Sequence, residues 1–282
     1  MAFTIFDAHF HIGAYGTQNA CDRDITPIAP EADHVDGAAC RAYLERNGAM
    51  GGVMVPCYLE DQSVAFRLND LLLESVDPSN HLYGALWVSP IDECRDWTFE
   101  TLERLPHPGI RALKIASNTW TGTSIDPRDW SSSERDVVER ILKAAADHDL
   151  VIHFHTGYLE GADPLKFDAF MSEYGSAATY QLVHMGEAIL PAFKFIPRFI
   201  EWLDKGFDVY TDSSMVPGFA PAWLVRLLLE RGAGIDRVMF ATDGPWGVFP
   251  VEATKIAYLD VADAIKKQIF SGNALRLYAG VP

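Results

Sequence analysis

Two histidines separated by one residue, His9 and His11, follow a short apolar run, Phe3-Thr4-Ile5-Phe6, and precede Gly13. Side chains alternate across a β-strand, so Asp7, His9 and His11 share one face if this stretch is extended. A strand that offers two imidazoles on one face beside a turn can grip a divalent metal ion with both. Residues of the same kind close other apolar runs: His153 and His155, His184, and Asp243. Neutral imidazole and carboxylate are the ligands of zinc and related ions, and a catalytic site keeps one position open. The set is large enough to hold an ion and leave a spare base. His153 and His155 share a strand face; His155, nearer the C-terminal end, is the better placed, with His153 as the alternative ligand one layer below. Asp7, also deeper, reads as a structural hydrogen-bonding residue. Asp243 has a second reading, as an N-cap in a Thr-Asp-Gly-Pro turn, but its strand position favours a ligand. His34, His81, His107 and His148 lie outside this pattern and read as surface or capping residues.

Groups so far apart in sequence meet only if the elements carrying them converge. The chain has eight short apolar runs rich in β-branched residues, at 4–11, 51–58, 81–90, 110–117, 150–156, 179–185, 207–213 and 237–243. Helical patterns separate them, at 36–47, 61–76, 97–105, 132–148, 164–174, 191–205 and 221–231, with a last helical region at 251–270. Ser131-x-x-Glu134 is a capping box ahead of the stripe Val137, Val138, Ile141, Leu142 and Ala145. Pro197 predicts a kink. Strict strand–helix alternation predicts a parallel sheet, and eight repeats close a (β/α)₈ TIM barrel, expected as one domain over residues 1–282. The histidines and Asp243 then fall at C-terminal strand ends, where barrel enzymes keep their sites. The long connections at 13–35 and 118–131 fall on the same face as candidate lids.

Lys114 lies inside the fourth apolar run, where an unpaired ammonium is costly. Three readings stand: it binds a substrate carboxylate, it is carboxylated as a bridge to a second metal, or it snorkels to the rim. Tyr15, Trp120, Trp130, Tyr158 and Trp246 lie near the expected mouth and suit an apolar or aromatic substrate or ordinary loop packing. Asp212 also lies near a strand end, with nothing to pair it with the metal set. Asn273 reads as the cap of a final helix.

The composition, 49% hydrophobic and 22% charged, is that of a soluble protein with a substantial core. A formal net charge of -16 argues against nucleic acid and anionic membrane surfaces as partners and leaves a small-molecule substrate, with self-association open. The four cysteines, Cys21, Cys40, Cys57 and Cys94, form no C-x-x-C pair. With no secretory pattern at the start and no membrane-length apolar run, a reduced cytoplasmic protein is expected.

DAHFHIG at 7–13, HTG at 155–157, LVHMG at 182–186, FATDGPW at 240–246 and GNALRLY at 272–278 together resemble the amidohydrolase superfamily, in its amidohydrolase-2 branch. GIRALKI at 109–115 is similar to a lysine-containing strand common in that branch. The resemblance implies a barrel holding one divalent metal, zinc first, with manganese, iron or nickel and a second ion as alternatives. It implies His9, His11, His155 and Asp243 as ligands, with His184 as second-metal ligand, base or carbonyl polariser. Branch members hydrolyse lactones and amides or decarboxylate aromatic and muconate-type acids. The intact H-x-H and the short chain favour a hydrolase using a metal-activated water, with Asp243 and His184 as catalytic residues. Lys114, Trp120, Tyr158 and Trp246 are then the candidate substrate contacts. Non-oxidative decarboxylation is the first alternative and a catalytically inactive binding barrel the second.

Overall fold

Eight parallel strands pair in sequence order: β1 (Ile5–Ile12), β2 (Ala49–Pro56), β3 (Leu82–Trp87), β4 (Ile110–Ile115), β5 (Val151–His155), β6 (Thr179–Val183), β7 (Val209–Asp212) and β8 (Val238–Met239). The structure, a computed structural model, describes residues 3–13, 34–57, 62–120 and 123–280. The ring closes beyond the short β8. Ala8 N–H donates to Phe240 O (3.0 Å), Asp243 N–H to His9 O (2.8 Å) and His11 N–H to Gly244 O (2.8 Å). The result is the (β/α)₈ barrel that the alternation predicts. The eighth run is regular only at its start: β8 ends at Met239, Phe240 N–H donates to Ile269 O, and Asp243 has left the extended conformation at φ 57°.

The helices are α1 (Gly37–Arg46), α2 (Gln62–Ser75), α3 (Arg95–Leu102), α4 (Ser132–Asp147), α5 (Phe167–Tyr174), α6 (Ile189–Asp204), α7 (Phe219–Arg231), α8 (Phe249–Ala257) and α9 (Asp263–Lys267). Local signals set several ends. Asp36 caps α1 by accepting from Ala39 N–H at 2.8 Å. Both arms of the Ser131–Glu134 capping box form, and the predicted α4 stripe is buried. Pro197 lies inside α6, which runs through it. The predicted final helix is broken: α8 ends at Ala257, and α9 runs on into π-type turns at Gln268–Gly272 and Leu275–Ala279. Asn273 stands at the C-terminal cap of the Gln268–Gly272 turn, its backbone N–H donating to Gln268 O. Its buried amide donates to Ile235 O (2.8 Å) and Val238 O (2.7 Å), tying the C-terminal segment to β8.

Alternation along the strands divides the core. Met54, Leu113 and Ile152 join helix residues in a large cluster outside the barrel. Val53, Val55, Ala112 and Val151 join Phe6, Met239 and Tyr278 in a smaller inner one. Cys40, Cys57 and Cys94 are buried free thiols. Cys21, Tyr15 and most of the first expected lid lie outside the described residues. Among the described residues no helix is long and apolar enough to cross a membrane.

Asp7 secures the closing seam. Its carboxylate accepts from His9 N–H (3.2 Å), Thr242 N–H (2.9 Å) and the Thr242 hydroxyl (2.5 Å). Burial pushes its pKa up to about 8 against the pull of the Thr242 donors. Asp7→Ala leaves three buried donors without an acceptor, at about 1–3 kcal/mol each before relaxation. The expected outcome is an apparent Tm lower by several degrees in thermal unfolding followed by circular dichroism, with Asp7→Asn nearer the parent protein.

Candidate metal centre

Barrel closure brings both ends of the chain to one point. His9 Nε2 lies 2.7 Å from Asp243 Oδ1, and His11 Nε2 lies 3.1 Å from the same oxygen. His184 Nε2 is 3.8 Å from it, and the His9 and His11 Nε2 atoms are 3.3 Å apart. Donor atoms of His9, His184 and Asp243 all lie within 4.8 Å of one another, a spacing that can hold an ion. His155 stands at the edge of this group, its ring 5.0 Å from that of His184 and its Nε2 3.7 Å from Glu187 Oε2. The tightest cluster therefore contains His184 where the resemblance implies His155.

His153 occupies the layer below. Its Nε2 is 2.6 Å from His9 Nδ1, and with His9 and Asp212 it forms a second close-set donor group. His11 Nδ1 lies 3.2 Å from Pro56 O, which can fix its ring. The strand pattern explains the layering: His153 and His155 share a face, and His153 pairs in register with Lys114 of β4.

The cluster opens into a cavity of ≈ 230 Å³, lined by His9, His11, His155, His184 and Asp243 together with Lys114, Asn118, Glu187, Met215 and Trp246. Of the four candidate substrate contacts, Lys114 and Trp246 reach it. The Trp246 ring meets His11 edge-on at 4.6 Å between centroids. Trp120 is buried in the outer hydrophobic cluster, Trp130 packs against Phe170 and Tyr174, and Tyr158 is 61% exposed. None of these three lines the cavity. Lys114 is fully buried, and among the described residues its Nζ has no hydrogen-bond partner. It does not reach the rim.

Several wall residues are held in unfavourable backbone geometry: His184 (φ 71°), Glu187 (φ 67°), Met215 (φ 54°) and Asp243 (φ 57°). Strain of this kind gathers where surroundings impose a side-chain direction. A Cβ at Gly157, in the HTG motif, would sit 2.4 Å from Glu187 Oε2 and 2.8 Å from His155 Nε2, so a larger residue there would push these two side chains from their places.

Electrostatics prepares the donors. Burial, reinforced by the Lys114 charge, holds His9 and His153 well below the usual imidazole range, and burial does the same for His184. Burial alone would raise Asp243, but His184, His11 and Lys114 outweigh it and hold the carboxyl below its usual range. Neutral imidazoles beside an ionised carboxylate are the protonation states a divalent cation needs. Burial pulls Lys114 down to about 8 against the attraction of Asp243 and Asp212.

Sequence reasoning left Asp212, Ser214 and Glu187 without a role. Asp212 Oδ1 accepts from Ser214 N–H and from the Ser214 hydroxyl, which in turn lies 2.8 Å from His184 Nδ1. The signal available was Asp212-Ser213-Ser214 at the end of the seventh run.

These features are those of a (β/α)₈ barrel with a His/Asp cluster at its mouth that could hold a metal ion. The chain belongs to the amidohydrolase family, whose model matches residues 7–280. No curated protein matches it. Among solved structures it is similar to 2,6-dihydroxybenzoate decarboxylase from Rhizobium (16% identity, 98% of each chain, TM-score 0.68). It is similar to 5-carboxyvanillate decarboxylase from Sphingomonas paucimobilis (17% identity, 99% of each chain, TM-score 0.68). It also resembles 5-carboxyvanillate decarboxylase from Novosphingobium aromaticivorans, complexed with manganese and 4-hydroxy-3-methoxy-5-nitrobenzoic acid (15% identity, 98% of this chain and 96% of that one, TM-score 0.67).

If the cluster holds an ion, manganese or zinc at 100-fold above Kd stabilises the fold by about 2.7 kcal/mol. The expected outcome is a metal-dependent rise in Tm by scanning fluorimetry, abolished in His9→Ala and Asp243→Ala.

Proposed function

We propose that this protein is a divalent-metal-dependent decarboxylase of a small aromatic or muconate-type carboxylic acid. Lys114 carries the reading. A buried ammonium without a partner among the described residues, in the wall of the cavity that holds the His/Asp cluster, calls for an anionic group from outside. A substrate carboxylate supplies that charge. A lactone or amide, the substrate class expected for hydrolysis, presents only a neutral carbonyl and adds no counter-charge to the distant attraction of Asp243 and Asp212. The full-length likeness to barrels named as decarboxylases of hydroxylated benzoic acids supports the same choice. A cavity of ≈ 230 Å³ is small beside typical ligand pockets of about 300–1,000 Å³ and suits a single ring.

His9, His11, His155 and Asp243 would hold the ion, with His184 beside them. When bound, it supplies Lewis acidity toward a substrate oxygen. Manganese in the Novosphingobium neighbour supports manganese alongside zinc as that ion. Lys114 orients the substrate carboxylate and neutralises it away from water. The Trp246 ring packs against the substrate ring. His184 takes a proton from water at Nε2 and delivers it to the carbon that loses carbon dioxide, replacing the broken carbon–carboxyl bond with a carbon–hydrogen bond. Asp243 stays ionised and anchors the His9 and His11 nitrogens.

Incubation with a panel of hydroxylated benzoic acids and muconate-type acids, with manganese or zinc added, should release carbon dioxide and the decarboxylated product in equal amounts. Acid release from lactones or amides, with no carbon dioxide from any acid, would return the assignment to hydrolysis. Lys114→Met should lower kcat/KM for the acid by about 10²-fold or more, the scale of breaking a buried charge pair. Its effect on binding of an analogue lacking the carboxylate should be small.

A further inference from the structure

The polar chain behind His184 has a direction that its atoms determine. Asp212 Oδ1 accepts from two backbone donors, Ser214 N–H at 3.1 Å and His184 N–H at 3.3 Å. Backbone N–H groups cannot reverse, so Oδ1 is an acceptor. Asp212 Oδ2 faces the Gln181 amide at 2.7 Å. The Gln181 amide nitrogen also points at Ala8 O, at 3.4 Å, while its oxygen takes the Tyr278 hydroxyl, and this sets which end is the donor. Both Asp212 oxygens thus receive protons. Burial pushes the Asp212 carboxyl up, but the donors from Ser214, Gln181 and His184 favour its ionised form, in which both oxygens only accept.

The Ser214 hydroxyl has one proton, and it lies against Asp212 Oδ1. Having donated there, Ser214 Oγ can only accept from its other neighbour, His184 Nδ1, at 2.8 Å. We propose that Ser214 and Asp212 are positioning residues that hold His184 in its Nδ1–H form, so that Nε2 meets the cavity as a bare acceptor. His184 Nε2 lies 3.8 Å from Asp243 Oδ1, beyond hydrogen-bond reach, so the tautomer is set on the Nδ1 side.

A role for neutral His184 as hydrogen-bond donor to a substrate carbonyl is therefore removed. Nε2 then meets a ligand as an acceptor, while Ser214 and Asp212, buried and bonded on both oxygens, fix the ring from behind. The catalytic consequence rests on the decarboxylase reading; the tautomer does not.

Nitrogen-15 NMR of histidine-labelled protein reads the tautomer directly, with and without added zinc, a diamagnetic ion. His184 is assigned by the resonance missing in His184→Gln. The expected result is a pyrrole-type Nδ1 and a pyridine-type Nε2 for His184 in both samples. Ser214→Ala should move His184 toward the Nε2–H form, while Ser214→Thr, which keeps a hydroxyl, should retain Nδ1–H. With a substrate acid, Ser214→Ala should lower kcat by ~10–100-fold, the scale set by losing the partner that orients a site histidine, with little change in KM. A wild-type His184 protonated at Nε2 would overturn the proposal, and so would an unchanged Nδ1–H signal in Ser214→Ala. Should Ser214→Ala not fold, the wild-type spectrum still decides. A correct tautomer in a protein that releases no carbon dioxide from any acid would refute the proposed reaction and leave this inference standing.

Discussion

Backbone hydrogen bonds between β1 and residues 240–244 are the constraint on which this site depends. They join the two ends of the strand order and place His9 and Asp243, 234 positions apart by numbering, within 2.7 Å. Asp7 reinforces the seam from below through Thr242, beneath the residues that form the cavity floor. Stability and site geometry therefore share one set of contacts. Disturbing the seam would disorganise the donor cluster even where every donor is still present.

Around that point the barrel solves an electrostatic problem in layers. The upper layer gathers imidazoles, with those of His9 and His184 held neutral by burial, and an ionised carboxylate at a small cavity. The layer below carries their partners: His153 under His9, and Asp212 with Ser214 behind His184. Lys114 stands between, its charge unanswered by any hydrogen bond among the described residues. Burial costs such a group several kcal/mol unless a counter-charge arrives. Lys114 and the His/Asp donor cluster thus face the same cavity.

The fold was legible almost entirely. Alternating apolar runs and helical stripes mark barrel units because period-two and period-3.6 patterns are local properties of a chain that must bury one face. Capping residues at Asp36 and Ser131 set helix ends for the same local reason. Where tertiary contacts outweigh local preference, the linear reading failed. The final helix breaks after Ala257, and Asn273 staples the C-terminal segment to β8.

His9, His11, His155, His184, Asp243 and Lys114 could be picked out from residue type and strand-end position, because parallel strands must bring their C-terminal ends to one face. Their mutual distances could not. Whether His155 or His184 stands closer to Asp243 depends on how much each strand end bends, and His184 sits at φ 71° by the demand of its surroundings. Trp120, Trp130 and Tyr158 looked like cavity aromatics, but loop paths place Trp120 and Trp130 in packing contacts and leave Tyr158 at the surface. The protonated nitrogen of His184 is the furthest from the linear chain. It follows from hydrogen bonds joining β1, β6, β7 and the C-terminal turn, and a donor count of that kind exists only once the barrel has closed.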